Sequence, residues 1–82
     1  KPDHPKYLIS LVEIYYDKDE KRNALDVMQR LRKIRPTNID YLLTVATLHE
    51  ELNEPTFARN YYMKILELNP SNEHAKEWIK QL

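Results

Sequence analysis

The 82-residue sequence contains no cysteine and no glycine. Without cysteine the chain can form neither a disulfide bond nor a thiolate metal site. Without glycine it cannot build the glycine-rich loops through which backbone N–H groups approach a phosphate. The turns of tight β-hairpins also usually need glycine. These absences exclude cysteine chemistry and phosphate loops, and they disfavour a fold made of short strands.

An excess of one charge and a long apolar run are missing as well. The 13 Lys and Arg residues balance 13 Asp and Glu residues, whereas nucleic-acid-binding proteins normally carry a basic excess. No apolar run is long enough to span a membrane, and no secretory signal is present. We therefore expect no membrane insertion, and a nucleic-acid partner is disfavoured. The chain begins at Lys1, so we expect it to be a piece of a longer protein, with a cytoplasmic location favoured.

The residues that are present repeat with a period of 34. Such a period is the signature of stacked supersecondary units. We divide the single domain of residues 1–82 into repeat one (5–38), repeat two (39–72) and a capping helix (72–82). Six positions are identical between the two repeats, namely Tyr7 and Tyr41, Leu8 and Leu42, Glu20 and Glu54, Ala24 and Ala58, Pro36 and Pro70, and Asn38 and Asn72.

Apolar residues at helical spacing predict two helices in each repeat and one in the tail. Pro36 and Pro70 end the second helix of each repeat, since the residue before proline avoids the α conformation. Asn53 suits the left-handed position that ends a helix, and Ser71 or Asn72 can cap the tail helix. The five stripes are Leu8, Leu11, Val12 and Tyr15; Ala24, Leu25, Met28 and Leu31; Leu42, Val45, Ala46, His49 and Leu52; Ala58, Tyr61, Tyr62, Ile65 and Leu66; and Ala75, Trp78, Ile79 and Leu82.

With this period, the sequence resembles the tetratricopeptide repeat family. The matching places are Leu8, Leu11, Val12, Tyr15, Ala24, Met28 and Pro36 in repeat one, and Leu42, Val45, Ala46, His49, Ala58, Tyr62 and Pro70 in repeat two. The resemblance implies an all-α fold of about five helices, a right-handed α-α superhelix of antiparallel helix hairpins. It also implies a protein–protein interaction module of adaptor, scaffold or chaperone-like type. His49 replaces the family's tyrosine, and we expect it to be a packed aromatic substitute.

In the resembled family the first helix of each repeat lines a concave binding face. The candidate partner-binding residues are Lys6, Ile9, Glu13, Tyr16 and Asp17 in repeat one, and Asp40, Leu43, Thr47, Glu50 and Glu51 in repeat two. His74 and Glu77 of the tail can join them. This face is acidic with apolar members, so we expect a basic or amphipathic peptide or helical segment as the partner. The family branch that clamps carboxylate tails of chaperones uses Lys, Arg and Asn, and the residues found here (Ile9, Glu13 and Thr44) disfavour that role.

No catalytic constellation is visible. Ser10 and Ser71 have no base near them in the sequence, and His4, His49 and His74 lie far apart. Catalysis needs a nucleophile or an acid–base pair held in a pocket. We therefore expect a protein that is not an enzyme and has no metal site and no cofactor.

Two alternatives remain open. One is self-association through the open ends of the repeat stack, where stripe residues such as Tyr7 or Leu8 could pair with another copy, because two repeats are few for a stable stack. The other is a nucleic-acid-binding helical repeat that uses residues 21–35, a segment that contains six cations and only one anion, Asp26. The favoured reading of this segment is compensation within the chain, with Lys21 and Arg22 near Glu50 and Glu51. The six cations are Lys21, Arg22, Arg30, Arg32, Lys33 and Arg35.

Overall fold

The computed structural model describes residues 4–81, which contain five α-helices and no strand. The all-α class and the number of helices are therefore confirmed. As predicted, the second helix of each hairpin ends shortly before a proline, at Pro36 and Pro70. Leu82, the last residue of the fifth apolar stripe, lies outside the described residues. The helices are α1 (Pro5–Asp17), α2 (Lys21–Ile34), α3 (Ile39–Glu51), α4 (Pro55–Leu68) and α5 (Glu73–Lys80).

The turns of the α1–α2 and α3–α4 hairpins share one backbone motif. After α1, Asp19 is left-handed with φ 61°, its N–H donates to the Tyr16 carbonyl (3.0 Å), and the Glu20 N–H donates to the Tyr15 carbonyl (2.8 Å). Asn53 repeats this geometry after α3, with φ 62° and the two equivalent hydrogen bonds. Glycine usually occupies this position, but the short polar side chains of Asp and Asn tolerate it. A chain without glycine can therefore still form both hairpins.

Asparagine side chains cap the N-termini of the helices that follow each hairpin. The Asn38 side chain accepts a hydrogen bond from the Tyr41 N–H at 3.0 Å, at the start of α3. Asn72 accepts one from the Ala75 N–H at 2.9 Å, at the start of α5. Each bond satisfies a backbone donor that the first helical turn leaves unpaired. Of the two predicted caps for the tail helix, Asn72 is therefore the one used.

The helices stack in chain order. Within residues 4–81, α1 packs on α2, α2 on α3, α3 on α4 and α4 on α5, and no other pair of helices makes close backbone contact. Two apolar clusters hold this arrangement, and α3 contributes to both. The buried members of the first are Leu8, Ala24, Leu25, Val27, Met28, Leu31, Val45 and Leu48. Those of the second are Leu42, Ala46, Ala58, Tyr62, Ile65 and Ala75.

Ala58→Leu is expected to lower the melting temperature clearly. Ala58 is fully buried in the second cluster, and a larger side chain in a packed core costs about 1–3 kcal/mol. For a domain of this size each kcal/mol corresponds to about 4–8 °C in Tm. Thermal unfolding followed by circular dichroism measures the shift, with the exposed neighbour Arg59→Leu as the control. An unchanged transition for Ala58→Leu would contradict the close helix approach at this alanine.

His49 connects three helices from inside the core. Its ring is only 6% exposed and stacks on Phe57 and Tyr61, with centroids 5.2 and 5.5 Å away. Its Nδ1 lies 2.9 Å from Oε1 of Glu54, whose other oxygen accepts a 2.8 Å hydrogen bond from Arg22 of α2. His49 is therefore packed among aromatic side chains, and it also has an acidic partner. The hydrogen bonds from Arg22 and then from His49 lower the pKa of Glu54.

The lowered pKa of Glu54 makes acid stability sensitive to this residue. The folded chain binds the proton less readily than the unfolded chain, so the stability that the carboxylate contributes is present above its ordinary pKa of 4.5 and is lost as the pH falls further. We expect the wild type to lose stability below pH 4.5 more steeply than Glu54→Gln. Urea unfolding at a series of pH values measures this slope, with Glu67→Gln as the control. Parallel profiles for wild type and Glu54→Gln would rule out this contribution.

Candidate binding groove between the first and third helices

An open groove of about 640 Å³ lies along α1 and α3. Its volume is in the range of about 300–1,000 Å³ that is typical of ligand sites in proteins. The two helices make no close backbone contact, so side chains alone define the space between them. The lining residues are Val12, Glu13, Tyr16 and Asp17 of α1, Leu43, Thr44, Thr47, Leu48 and Glu51 of α3, and His74 of α5.

The groove brings together six of the ten predicted partner-binding residues. These are Glu13, Tyr16, Asp17, Leu43, Thr47 and Glu51. The other four, Lys6, Ile9, Asp40 and Glu50, are exposed but do not line it. Of the two tail residues that could join, His74 does and Glu77 does not. The groove is therefore built from the C-terminal half of α1 and most of α3, and the predicted face extends beyond it at the helix starts.

The sequence prediction missed the apolar bottom of the groove. Val12 belongs to the packed stripe of its helix and also lines the groove. Leu48 is 2% exposed and belongs to the first core cluster, yet it also forms part of the lining. Thr44 was predictable as a groove residue from the sequence, because Thr44, Thr47 and Glu51 follow the i, i+3, i+7 spacing of one helical face. Leu48, at i+4 from Thr44, falls on the same helical face, but its burial depends on how α3 packs.

A hydrogen bond joins the two walls. The Tyr16 hydroxyl of α1 donates to Oε1 of Glu51 on α3 at 2.8 Å, and Nζ of Lys21 lies 3.6 Å from the same oxygen. The hydrogen bond to Glu51 and the negative charge of Glu51 raise the pKa of Tyr16, which keeps the phenol protonated as a donor. The charge of Glu51 is therefore partly compensated by residues of the chain itself.

Tyr62 determines the places of Glu50 and His74. Its hydroxyl donates to Oε1 of Glu50 at 2.7 Å and lies 3.2 Å from Nε2 of His74. Because the hydroxyl proton goes to Glu50, the imidazole is left to donate through Nε2. Burial raises the pKa of Tyr62 to about 12. Glu50 is thus held by α4, which accounts for its absence from the groove, while His74 is held where it lines the groove.

Lys21, Arg22 and Arg32, three cations of residues 21–35, contact other parts of the chain. Lys21 pairs with Glu51, as expected, but Arg22 pairs with Glu54 at 2.8 Å instead of with Glu50 or Glu51. The Arg32 guanidinium carbon lies 5.8 Å from the centroid of the Tyr61 ring, a cation–π geometry. These contacts support charge compensation within the chain as the role of Lys21 and Arg22, whereas Arg32 packs on a neutral aromatic ring.

The groove has the features of a binding surface. Within residues 4–81, no group of three or more His, Asp and Glu side chains is arranged to hold a metal ion. The helices of the same region are too short or too polar to cross a membrane.

Comparison with models of known protein families gave no match, and comparison with curated proteins gave none either. An apolar bottom with carboxylates beside it suits non-covalent recognition of a ligand that is apolar and positively charged.

Proposed function

We propose that the chain is a tetratricopeptide-like protein–protein interaction module and not an enzyme. It binds a peptide or helical segment of a partner in the groove between α1 and α3. The observation that carries this proposal is the groove itself, which combines an apolar bottom with acidic walls and contains six residues predicted from the sequence. An adaptor or scaffold role follows, because such a site recognises a segment of another protein without transforming it.

The equivalence of the two hairpins supports the relation to tetratricopeptide repeats. Residues 34 positions apart in the sequence have the same structural role. Asp19 and Asn53 both adopt the left-handed conformation, and Asn38 and Asn72 both cap the start of a helix. The buried Ala24 and Ala58 are a further such pair. Equivalent roles for residues separated by a fixed sequence period are expected when two copies of one supersecondary unit are stacked.

The lining of the groove supports a basic or amphipathic partner. It contains three carboxylates and neither Lys nor Arg. Val12 and Leu43, both partly exposed, provide apolar surface in the groove. Complementary charge favours encounter with a positively charged segment, while apolar contacts contribute most of the affinity.

The double substitution Tyr16→Ala/Leu43→Ala is expected to weaken peptide binding by at least about tenfold, since aromatic and apolar anchors dominate such interfaces. The probe is a peptide selected from a displayed random library on the intact chain. Its affinity is measured by fluorescence anisotropy. Amide chemical-shift mapping with the same peptide is expected to mark residues of both groove walls.

A matched control is Arg59→Ala/Met63→Ala on α4. Both residues are exposed and neither lines the groove, so the peptide affinity should stay at the wild-type value. Circular dichroism must give the same helix content for all three proteins. If the groove variant binds the selected peptide as tightly as the wild type, the groove is not the binding site.

A specific observation favours self-association as a second candidate function. Tyr7 and Ile14 on α1 are 52% and 50% exposed, although their equivalents in repeat two, Tyr41 and Leu48, pack in the first core cluster. Leu8, which we also expected at this end, is fully buried. We infer that the face of α1 around Tyr7 and Ile14 can pair with the same face of a second copy, as in a two-fold interface.

Sedimentation analysis across concentration tests the second candidate. A dimer that forms with rising concentration and is abolished by Ile14→Lys supports pairing through α1. Since Ile14 is half exposed, the substitution should leave the fold intact. A strict monomer at high concentration would contradict self-association without affecting the groove.

A further inference from the structure

The three groove carboxylates differ in how the chain compensates them. Glu51 accepts the Tyr16 hydrogen bond and lies near Lys21. The carboxylates of Glu13 and Asp17, both exposed on α1, make no side-chain hydrogen bond or ion pair with any other residue of 4–81. The uncompensated negative charge of the groove is therefore concentrated on its α1 wall.

Glu13 and Asp17 do not stabilise helix α1 at the positions that they occupy. Glu13 and Asp17 are spaced i, i+4, where two like charges destabilise a helix by about 0.2–0.5 kcal/mol. Asp17 is also the last residue of α1, where a negative charge opposes the helix dipole. The last turn of α1 has no basic residue, in contrast to Arg32 and Lys33 in α2. A departure from local preference beside a groove is typical of a residue that serves binding.

We propose that Glu13 and Asp17 bind two basic side chains that stand one helical turn apart on an amphipathic helical partner. This inference rests on the proposed function and specifies the partner of the same groove. Side chains spaced i, i+4 lie about 5–6 Å apart at Cβ, so a Lys or Arg pair with the same spacing on a helix alongside α1 matches the two carboxylates. The apolar stripe of the partner then contacts Val12 and Leu43.

The walls of the groove favour a helix over an extended peptide as the partner. Both walls are α-helices, whose interior backbone donors and acceptors are already paired within the helix. An extended segment placed there would find no strand edge for its own backbone groups. A helix satisfies these groups internally, so it can bury one face in the groove without leaving backbone donors unpaired.

The lysine arrangement in two designed helical peptides tests this proposal. Both have an alanine-rich scaffold, the same leucine stripe and the same number of lysines. In the first peptide, two lysines at i and i+4 flank the stripe, and in the second they lie on the opposite face. We expect the wild-type chain to bind the first peptide more tightly, with a preference that declines as salt is added.

Glu13→Gln/Asp17→Asn is expected to weaken binding of the first peptide about 2- to 30-fold at low salt, as for the loss of two exposed ion pairs. It should leave the affinity for the second peptide nearly unchanged. The control Asp26→Asn/Glu67→Gln removes the same net charge outside the groove and should alter neither affinity. Helix content measured by circular dichroism must be equal in all proteins.

The possible outcomes separate this inference from the proposed function. If the groove variant binds the first peptide like the wild type, while Tyr16→Ala/Leu43→Ala still weakens it, the carboxylate pair has no role and the groove remains the site. Equal weakening by the groove variant and by the Asp26/Glu67 control would mean that net charge alone acts, which also overturns the pairing. If the wild type binds neither designed peptide, the pairing is wrong, and the proposed function is then decided by the library-selected peptide.

Discussion

Replacement of Tyr62 by alanine is expected to lower the free energy of unfolding by about 3–5 kcal/mol, the usual loss for a large buried aromatic side chain. Tyr62 is fully buried and stacks on Trp78 of α5, with ring centroids 4.7 Å apart. Its hydroxyl also contacts Glu50 of α3 and His74 of α5. The substitution should therefore loosen α5 in addition to weakening the second core cluster.

Urea unfolding gives the total effect, and the fluorescence of Trp78, the only tryptophan in the sequence, reports on α5. We expect Trp78 of Tyr62→Ala to be more accessible to a quencher even before global unfolding. Such early exposure is typical of a terminal element that has lost most of its buried contacts. An unchanged unfolding curve would contradict the packing of α4 on α5.

Tyr62→Phe distinguishes the contribution of the aromatic ring to stability from that of the hydroxyl group. It keeps the stacking on Trp78 and removes the hydrogen bonds to Glu50 and His74. Because both of these residues are exposed and can be rehydrated, we expect a loss of only about 1 kcal/mol. A loss as large as that of Tyr62→Ala would mean that the polar contacts, and not the ring, hold α5.

The elements that local rules determine were predictable from the sequence. Proline and asparagine act through the backbone of their immediate neighbours, so Pro36, Pro70 and Asn53 marked helix ends correctly. The apolar stripes identified the helix faces that pack, and residues such as Ala24 and Ala58 are buried as a result. These predictions required no knowledge of how separate helices meet.

The second buried face of an interior helix was harder to predict. Since α2 packs on both α1 and α3, it buries Val27 in addition to the predicted stripe. The same holds for α3, where Leu48 is buried in the first cluster beside Val45, whereas Leu42 and Ala46 are buried in the second. A single apolar periodicity identifies one face, whereas burial on two sides depends on the tertiary arrangement.

The polar partners depend on that arrangement even more strongly. Tyr16 reaches Glu51 and Arg22 reaches Glu54 across more than 30 residues of sequence. Glu50 appears equivalent to Glu51 in the sequence, but its contact with Tyr62 directs it to α4. The two adjacent carboxylates therefore have different surroundings, since Glu50 contacts a tyrosine of α4 and Glu51 lines the groove.

Leu48 joins the core to the groove, and Leu48→Ala is expected to change both. The side chain belongs to the first core cluster and lines the groove. Its truncation should lower the free energy of unfolding by about 2–5 kcal/mol. It should also deepen the groove, because surrounding side chains relax only partly into a vacated volume.

The deeper groove should alter which apolar residue of a bound peptide is preferred. We expect Leu48→Ala to favour a peptide with phenylalanine at the central stripe position over the same peptide with leucine, relative to the wild-type preference. The ratio of the two dissociation constants measures this change. A ratio measured on one protein is insensitive to the fraction of that protein that is unfolded.

Leu25→Ala is the matched control for Leu48→Ala. Leu25 is 3% exposed and belongs to the same cluster, but it does not line the groove. It should lose a similar amount of stability and keep the wild-type ratio of dissociation constants. An equal change of the ratio in both variants would trace the effect to general loosening of the helix stack, whereas a change confined to Leu48→Ala would mean that the packing of α3 sets the depth of the binding surface.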